Sequence, residues 1–443
     1  MLFPFGSSLW LVLKDGFIAL AYLYFILYYC IRQKSILLGR EVVPVVAYFI
    51  FTLYVYCYAV IAHHNHIGLF LVGIRVDLFY VPLFLIALCA FQEEKIFDRL
   101  NKMFLIFLVL NTAAAVFQFL FPDTAKIIPG LGGLGEEGVD INKKASFTLS
   151  GVNNMMDYTT GLFGGVGKFS RNMFHIMFWF TLFFVISSSR NTLRLALVIL
   201  LVGVCLILGI KRLPILIFCY FLFALPVLLY FALRFTRRTA DQDPVRQSVS
   251  RLKTTVSTTI ISLCLLSAVG IATTEKGLVY AKFIQFALTS NLEDRFLKIH
   301  EDRGWVSEQS KIARSEKAFY GQGPGTSTMG FANVMNMKDY SNNGFFGVEH
   351  GPLKVWLEFG VLGIIQFAVL WAGLFFLDIK TLFAVRKHLN LVAASLMISN
   401  YHLIAFISFL VGHHYWADSQ GQIHFWLIPG LQVLLWRRRV NGL

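Results

Sequence analysis

The chain has 443 residues, of which 57% are apolar and only 14% are charged. A soluble domain usually carries about 25% charged residues, so this composition excludes a soluble globular protein. Apolar runs of roughly 20 residues, each long enough to cross about 30 Å of hydrocarbon, recur along nearly the whole chain. The composition therefore predicts an all-α, polytopic integral membrane protein.

Eleven membrane-spanning helices are predicted from the apolar runs and their charged flanks. The first run contains Lys14 and Asp15 and lacks a small-residue cleavage site, so we expect a retained helix and not a signal peptide. The predicted helices lie near residues 9–31, 42–62, 68–91, 104–121, 173–188, 194–210, 213–234, 254–274, 352–377, 390–411 and 421–436.

The distribution of basic residues predicts the orientation of the chain, because short loops with an excess of Lys and Arg face the cytoplasm. One set of loops carries 20 Lys and Arg against 7 Asp and Glu, whereas the loops on the other side are nearly neutral. The formal charge of +14 is therefore attributed to membrane orientation and not to nucleic-acid binding. The basic loops are 32–41, 92–103, 189–194, 234–253, 378–389 and the tail from residue 437.

Two outward-facing loops are too long to be simple connectors. The first spans about 122–172 and is rich in Gly and Asn, and the second spans about 275–351 with nine basic and nine acidic residues. Long loops of this kind are usually functional, and we interpret the second as a helical lid over an outward-facing cavity. Three consecutive parts are predicted: a membrane bundle at 1–274, the lid at 275–351, and C-terminal membrane helices at 352–443.

Ionisable side chains inside membrane helices, or at their outer ends, are candidate functional residues because charge is costly to bury in lipid. Five places in the sequence qualify. They are Arg75 with Asp77 in the third apolar run, Lys211-Arg212 at a tight outer turn, Arg171 with His175 at the outer end of the fifth helix, Arg295 early in the large loop, and His350 at its end, followed by Lys354, Trp356 and Glu358.

Each of these places also has a purely structural interpretation. Arg75 and Asp77 would form an ion pair that only fixes helix packing, and Lys211-Arg212 would extend toward lipid head groups. Arg295 is one of nine basic residues in its loop and would be solvated. No carboxylate or thiolate stands at ligand spacing from the paired histidines of the sequence, so neither a metal nor a cofactor is predicted.

Arginines and a histidine gathered at the outer leaflet suit one kind of reaction. Arg binds phosphate and diphosphate groups bidentately and keeps its charge, and a histidine accepts a proton from a hydroxyl near neutral pH. The residues favour displacement of a lipid diphosphate by a hydroxyl, which needs no ATP because the donor carries its own leaving group. Neither a Walker A motif nor a dinucleotide-binding fingerprint occurs in the sequence.

A run of short motifs crosses the end of the large loop and enters the next predicted helix. It contains an Arg, a Trp, a Gly-x-Gly turn, a His, a Glu and paired glycines. These residues are Arg295, Trp305, Phe319-Tyr-Gly-Gln-Gly-Pro-Gly325, His350-Gly-Pro-Leu353 and Trp356-Leu-Glu358-Phe-Gly360-Val-Leu-Gly363.

This run resembles the signature of the O-antigen polymerase and O-antigen ligase superfamily. Lys14-Asp15, Gly73-Ile-Arg75 and Arg212 are similar to three further positions of that family. The chain departs from the pattern at Gly351, where the family commonly has Asn, and at Lys211, which replaces the usual Ser.

The resemblance implies a GT-C type, inverting, metal-independent glycosyltransferase of the bacterial inner membrane, with its active site facing the periplasm. Its donor would be a glycan on undecaprenyl diphosphate. Within the resemblance, His350 would be the general base on the acceptor hydroxyl. The remaining roles would fall to Arg212, Arg295, Arg75 and Lys211, which would hold the diphosphate, and to Glu358, Arg171 and Arg314, which would support the site.

Polymerases and ligases of the superfamily share this donor and differ in the acceptor, which is another lipid-linked glycan unit or lipid A core. Arg314, followed after ten residues by Gly325, is similar to a spacing in the periplasmic loops of the polymerases, so the polymerase is preferred. A chain-length regulator would then be an expected partner.

A transporter of lipid-linked sugars is disfavoured because the sequence shows no internal repeat. A peptidoglycan polymerase is expected to use an acidic residue and a cation, and the nine acids of the large loop keep it as an alternative.

Overall fold

The described part of the chain is predominantly helical, as the composition predicts. The computed structural model describes residues 7–27, 42–62, 71, 73–91, 94–121, 145–149, 152–156, 166–187, 192–209, 212–236, 319–321, 323, 351–411 and 419–440, together with parts of 249–261.

The α-helices of the described part are numbered here in chain order, and five of the ten begin and end within about four residues of the predicted bounds. Parts of 249–261 are also helical. The numbered helices are α1 (Ser7–Phe25), α2 (Val43–Ala62), α3 (Leu83–Ala90), α4 (Glu94–Leu120), α5 (Val166–Ile186), α6 (Thr192–Gly209), α7 (Arg212–Phe235), α8 (Gly351–Ala384), α9 (Leu389–Val411) and α10 (Ser419–Val440).

The third apolar run differs from the single helix predicted at 68–91. A π-helical turn occupies Ile74–Leu78, and the short helix α3 begins only at Leu83. Pro82 stands directly before α3. Proline lacks a backbone N–H and cannot continue an i to i−4 hydrogen-bond ladder, so it ends the preceding turn and starts a new helix.

Two helices extend into residues that were predicted to be cytoplasmic loops. Helix α4 begins at Glu94, within the predicted loop 92–103, and α8 continues to Ala384, within the predicted loop 378–389. The prediction was wrong at both places because it took charged residues as the end of a helix, although charged side chains continue a helix readily. Asp378 therefore lies inside α8, where it is buried.

A short β-hairpin lies in the predicted loop 122–172. Strand β1 (Ala145–Leu149) pairs antiparallel with β2 (Val152–Met156), with Ala145 opposite Met156 and Leu149 opposite Val152. The two strands are separated by two residues in the sequence, a spacing that is typical of hairpins.

Several of these helices are long and apolar enough to cross a membrane, which supports the assignment of a membrane protein. The count of eleven spans stays a prediction. In the described ranges, the four helices that meet this criterion are Ile96–Leu120, Ile217–Phe235, Gly351–Ala384 and Leu389–Leu410, and shorter apolar helical stretches lie at Asp15–Phe25, Val43–Val55, Asn172–Ile186 and Leu193–Leu206.

The chain forms two compact units, each assembled from segments that are distant in sequence. The division into three consecutive parts stays a prediction. Unit 1 contains Met1–Tyr28, Glu93–Ser290 and Val385–Met397, and unit 2 contains Tyr29–Gln92, Asn291–Ala384 and Ile398–Leu443.

Helix α5 is the central helix of the part of unit 1 that the structure describes. Its residues from Asn172 to Ile186 are all buried, as expected for a predominantly apolar helix. The Phe183 ring lies 4.9 Å from the Phe97 ring of α4, measured between centroids. Helix α4 also contacts α6, where the Thr112 hydroxyl and the Cys205 thiol lie 3.2 Å apart.

In unit 2, α8 packs against α2, α9 and α10. The Tyr48 ring of α2 lies 5.3 Å from the Trp426 ring of α10, and the Trp371 ring of α8 lies 5.1 Å from the Phe406 ring of α9. Polar contacts also join α8 to α2. The Gln366 side chain of α8 donates to the Tyr48 carbonyl at 3.0 Å and also bonds the Thr52 hydroxyl. Helix α8 is therefore the central helix of the part of unit 2 that the structure describes.

Candidate functional site

Three ionisable side chains meet in the interior of unit 2. Asp77 belongs to the π-helical turn, and Lys354 and Glu358 belong to the first two turns of α8. Their exposed fractions are 2%, 2% and 0%, respectively. The Lys354 ammonium lies 3.8 Å from Asp77 Oδ1 and 3.6 Å from Glu358 Oε2. We call these three residues the Lys354 cluster.

Local backbone geometry explains why these side chains converge. Lys354 and Glu358 are four residues apart, which places them on one face of α8. In the π-helical turn, the Phe79 amide donates to the Ile74 carbonyl at 2.9 Å, an i to i+5 bond that widens the turn. Asp77 is buried in this turn, while Arg75, two residues earlier, is exposed.

The Lys354 cluster holds two carboxyl groups and one ammonium group away from water. Taking charges out of water is costly, and only their mutual attraction in the low-dielectric interior compensates. The separations of 3.6 and 3.8 Å exceed the usual length of a hydrogen bond, so these contacts are ion pairs. A buried ion pair adds little net stability, because the cost of desolvation offsets much of the attraction between the charges.

A turn that contains Phe319, Tyr320, Gly321 and Gly323 docks on the backbone of α8 beside this cluster. The Gly323 amide donates to the Glu358 carbonyl at 3.1 Å, and the Leu362 amide donates to the Phe319 carbonyl at 3.4 Å. We call it the 319–323 turn. Its two hydrogen bonds run in opposite directions between the turn and the helix, so they fix the position of one against the other.

Glycines make this close approach possible. Gly360 interrupts α8 with φ 65° and ψ −157°, a region that is essentially restricted to glycine. A Cβ atom on Gly360 would lie 2.3 Å from the Phe319 carbonyl oxygen, and one on Gly321 would lie 2.5 Å from the Glu358 carbonyl carbon. Because the atoms that would clash belong to the backbone, no side-chain rotation would relieve the contact.

Aromatic rings extend the contact of the 319–323 turn to α2. The Tyr320 ring lies 4.4 Å from the Tyr58 ring, with an angle of 30° between the planes. Phe319 is exposed, and its ring lies 4.8 Å from that of Tyr320. The turn is therefore held by both α8 and α2.

Of the predicted site residues, Glu358 lies in the Lys354 cluster and Arg75 is exposed on the adjoining π-helical turn. Arg171 and Arg212 lie in α5 and at the start of α7, and their side chains are outside the described part. His175 is buried in α5. The convergence of the arginines on one diphosphate stays a prediction. Residues outside the described ranges are Lys211, Arg295, Arg314 and His350.

The contact between Asp77 and Lys354 was missed by sequence reasoning, which considered only the neighbouring Arg75 as a structural partner of Asp77. In the structure, Asp77 lies beside Lys354 from a distant segment. The sequence did contain a signal for this contact, because each of the two apolar runs carries one acidic and one basic residue close together. Such charges are expensive to leave alone in a membrane and tend to meet.

A second buried polar cluster in unit 2 was also missed. The His402 Nδ1 atom lies 3.0 and 2.9 Å from the two carboxylate oxygens of Asp378, and the Gln432 side chain donates to Asp378 Oδ1 at 3.1 Å. These contacts join α8, α9 and α10. Asp378 had been assigned to a loop, so the sequence offered no reason to look for a partner.

Within the described ranges, no group of three or more His, Cys, Asp or Glu side chains is arranged to hold a metal ion. The prediction that the protein needs no metal stays a prediction.

A comparison of the chain with protein-family models and with curated proteins finds no match. Function is therefore inferred from the residues themselves.

Proposed function

We propose that the protein is a glycosyltransferase of the O-antigen polymerase and ligase type. It transfers a glycan from undecaprenyl diphosphate to an acceptor sugar hydroxyl at the periplasmic face of the bacterial inner membrane. The observation that carries the proposal is the docking of the 319–323 turn on α8 beside Glu358 and Gly360. These are two separate parts of the motif run that resembles the superfamily, and here they form one contact.

The proposed reaction is an inverting displacement. His350, which directly precedes the first residue of α8, takes the proton of the acceptor hydroxyl. The hydroxyl oxygen forms a bond to the anomeric carbon, and the bond from that carbon to the diphosphate oxygen breaks. The diphosphate leaves with the electron pair, and Arg212, Arg295, Arg75 and Lys211 stabilise its charge.

The exposure of Arg75 and the burial of Asp77 on the π-helical turn support the role of Arg75 in binding the diphosphate. Arg75 is exposed and suited to meet an anionic lipid head group, whereas Asp77 is buried against Lys354 and would not repel that group from the surface. Glu358 is buried as well, so we assign it a supporting role within the protein. Arg171 and Arg314 keep the supporting roles implied by the resemblance.

The finer architecture belongs to the same proposal. We propose a GT-C type arrangement of eleven membrane helices with the segment 275–351 as the periplasmic lid. The preferred acceptor is another lipid-linked glycan unit, which makes the protein a polymerase and a chain-length regulator its expected partner. A ligase that transfers the glycan to lipid A core is the second candidate, because the two activities share the donor.

Reconstitution tests the proposed function directly. The purified protein in proteoliposomes is expected to convert undecaprenyl-diphosphate repeat units into a ladder of longer lipid-linked chains on a gel. We expect EDTA to leave the ladder unchanged, since Arg and not a cation would stabilise the leaving group. Product only after addition of lipid A core would assign the ligase, and absence of product under both conditions would contradict the proposal. Loss of the ladder in EDTA with recovery in Mg²⁺ would favour a peptidoglycan-type polymerase.

Replacement of His350 by Ala is expected to lower kcat in this assay by about a hundredfold or more, which is the usual contribution of a general base. The donor KM should change little, because the base acts on the acceptor. His300→Ala is the matched control, since His300 lies in the same large loop and is not one of the motif residues. A ladder of normal length and rate from the His350 variant, at equal protein level in the membrane, would rule out its role as base.

A further inference from the structure

The ion pair between Asp77 and Lys354 joins two segments to which the proposed function gives different tasks. Asp77 lies in the π-helical turn that carries the exposed Arg75, and Lys354 lies in the first turns of α8, which directly follow His350. The two charged atoms are 3.8 Å apart and almost fully shielded from water. The contact is therefore a direct link between a proposed anion-binding turn and the helix that begins after the proposed base.

We propose that Lys354 is a positioning residue, which with Asp77 sets the placement of Arg75 relative to the start of α8. This inference rests on the proposed function. It adds that the diphosphate-binding group and the base are aligned through one buried ion pair. Lys354 and Asp77 do not themselves touch the substrate, because both are buried.

A positioning role explains the ion pair between Asp77 and Lys354 better than a purely stabilising role does. Replacing a buried ion pair by apolar residues of similar volume is often neutral or stabilising, so stability alone is a poor reason to keep charges in a membrane helix. An ion pair does distinguish between registers of two surfaces that apolar contacts would accept equally. Glu358, one helical turn beyond Lys354, lies 3.6 Å from the same ammonium group and narrows its position further.

The start of α8 is held by two kinds of contact. The π-helical turn contacts Lys354 through charge, while the 319–323 turn contacts the Glu358 and Leu362 backbone through hydrogen bonds. Both contacts fall within the first twelve residues of the helix. Reacting groups must be placed to within a fraction of an ångström for full activity, and a displacement of about 1 Å costs up to about a hundredfold in rate.

A double-mutant cycle in the reconstituted assay tests the proposal. We expect Asp77→Asn to lower kcat/KM for the donor about tenfold or more, because Arg75 would no longer be held where it meets the diphosphate. The factor by which Arg75→Gln lowers kcat/KM should be about ten times smaller in the Asp77→Asn background than in the wild type, because Arg75 is already misplaced in that background. Lys354→Arg keeps the charge and changes the geometry, so it provides a second variant in case Asp77→Asn does not fold.

Gln366 supplies the matched control. Gln366 is also a buried polar residue of α8, but its side chain bonds Tyr48 and Thr52 of α2. The effects of Gln366→Leu and Arg75→Gln should therefore be additive. Additive effects of Arg75→Gln with both Asp77→Asn and Lys354→Arg would overturn the positioning role while leaving the proposed function intact. A wild-type protein that makes no product from either acceptor would overturn the proposed function and this inference with it.

Discussion

Replacement of Lys354 by Met is expected to lower the free energy of unfolding by about 3–5 kcal/mol, the usual cost of removing one partner from a buried ion pair. The loss is large because Asp77 and Glu358 would remain in the interior without the ammonium that lies 3.8 and 3.6 Å from them. Thermal unfolding of the purified protein in detergent measures the effect. Lys102→Met, at an exposed lysine of α4, is the matched control and should change stability by less than about 0.5 kcal/mol.

A triple variant separates charge from packing in this prediction. If the loss in Lys354→Met comes from unbalanced charge, adding Asp77→Asn and Glu358→Gln to Lys354→Met should recover most of the stability, because no charge then remains in the cluster. Equal unfolding midpoints for the single and triple variants would show that unbalanced charge is not the cause of the loss in Lys354→Met. A single variant as stable as the wild type would contradict the buried ion pair altogether.

Replacement of Gly360 by Ala is expected to detach the 319–323 turn from α8. The added Cβ atom would lie 2.3 Å from the Phe319 carbonyl oxygen, and the backbone at φ 65° and ψ −157° costs a residue other than glycine about 1–3 kcal/mol. Gly321→Ala is expected to act in the same way, because its Cβ atom would lie 2.5 Å from the Glu358 backbone. Both variants should unfold at lower temperature and, in the reconstituted assay, lose the proposed glycan transfer.

Gly16→Ala is the control for these glycine variants. Nothing lies within 4 Å of a Cβ atom at Gly16, which is in the middle of α1. Alanine favours a helix over glycine by about 1 kcal/mol, so this variant should be as stable as the wild type or slightly more stable. Wild-type unfolding and wild-type activity in Gly360→Ala would show that the docked turn is not required for the site.

The helical elements were predictable because they depend on local composition. A run of about twenty predominantly apolar residues, as in α2 and α9, forms a helix in a membrane, since every backbone polar group must be satisfied within the segment. The same reasoning failed at Glu94 and Asp378, where charged residues continue the helices instead of ending them. Charged side chains are compatible with a helix both in water and in a packed interior, so a charge marks the end of an apolar run and not the end of a helix.

The candidate site was predictable only in part. Glu358 and the Gly-x-Gly turn were singled out by their motifs, but no local pattern says that the Gly323 amide bonds the Glu358 carbonyl. The requirement for glycine at Gly321 and Gly360 likewise comes from the backbone atoms of the other segment. A sequence motif shows which residues are candidates, but the atoms that surround each residue in the structure explain why that residue type is required.

By itself, the sequence determined that this protein is helical and apolar enough for a membrane, because hydrophobic length and backbone hydrogen bonding are properties of single segments. It also determined which charged residues would be costly to bury. Only the tertiary structure decided their partners: Lys354 lies beside Asp77, and Asp378 beside His402, across large separations in sequence. Such pairing depends on which helix faces come together, and side-chain packing between helices specifies those faces.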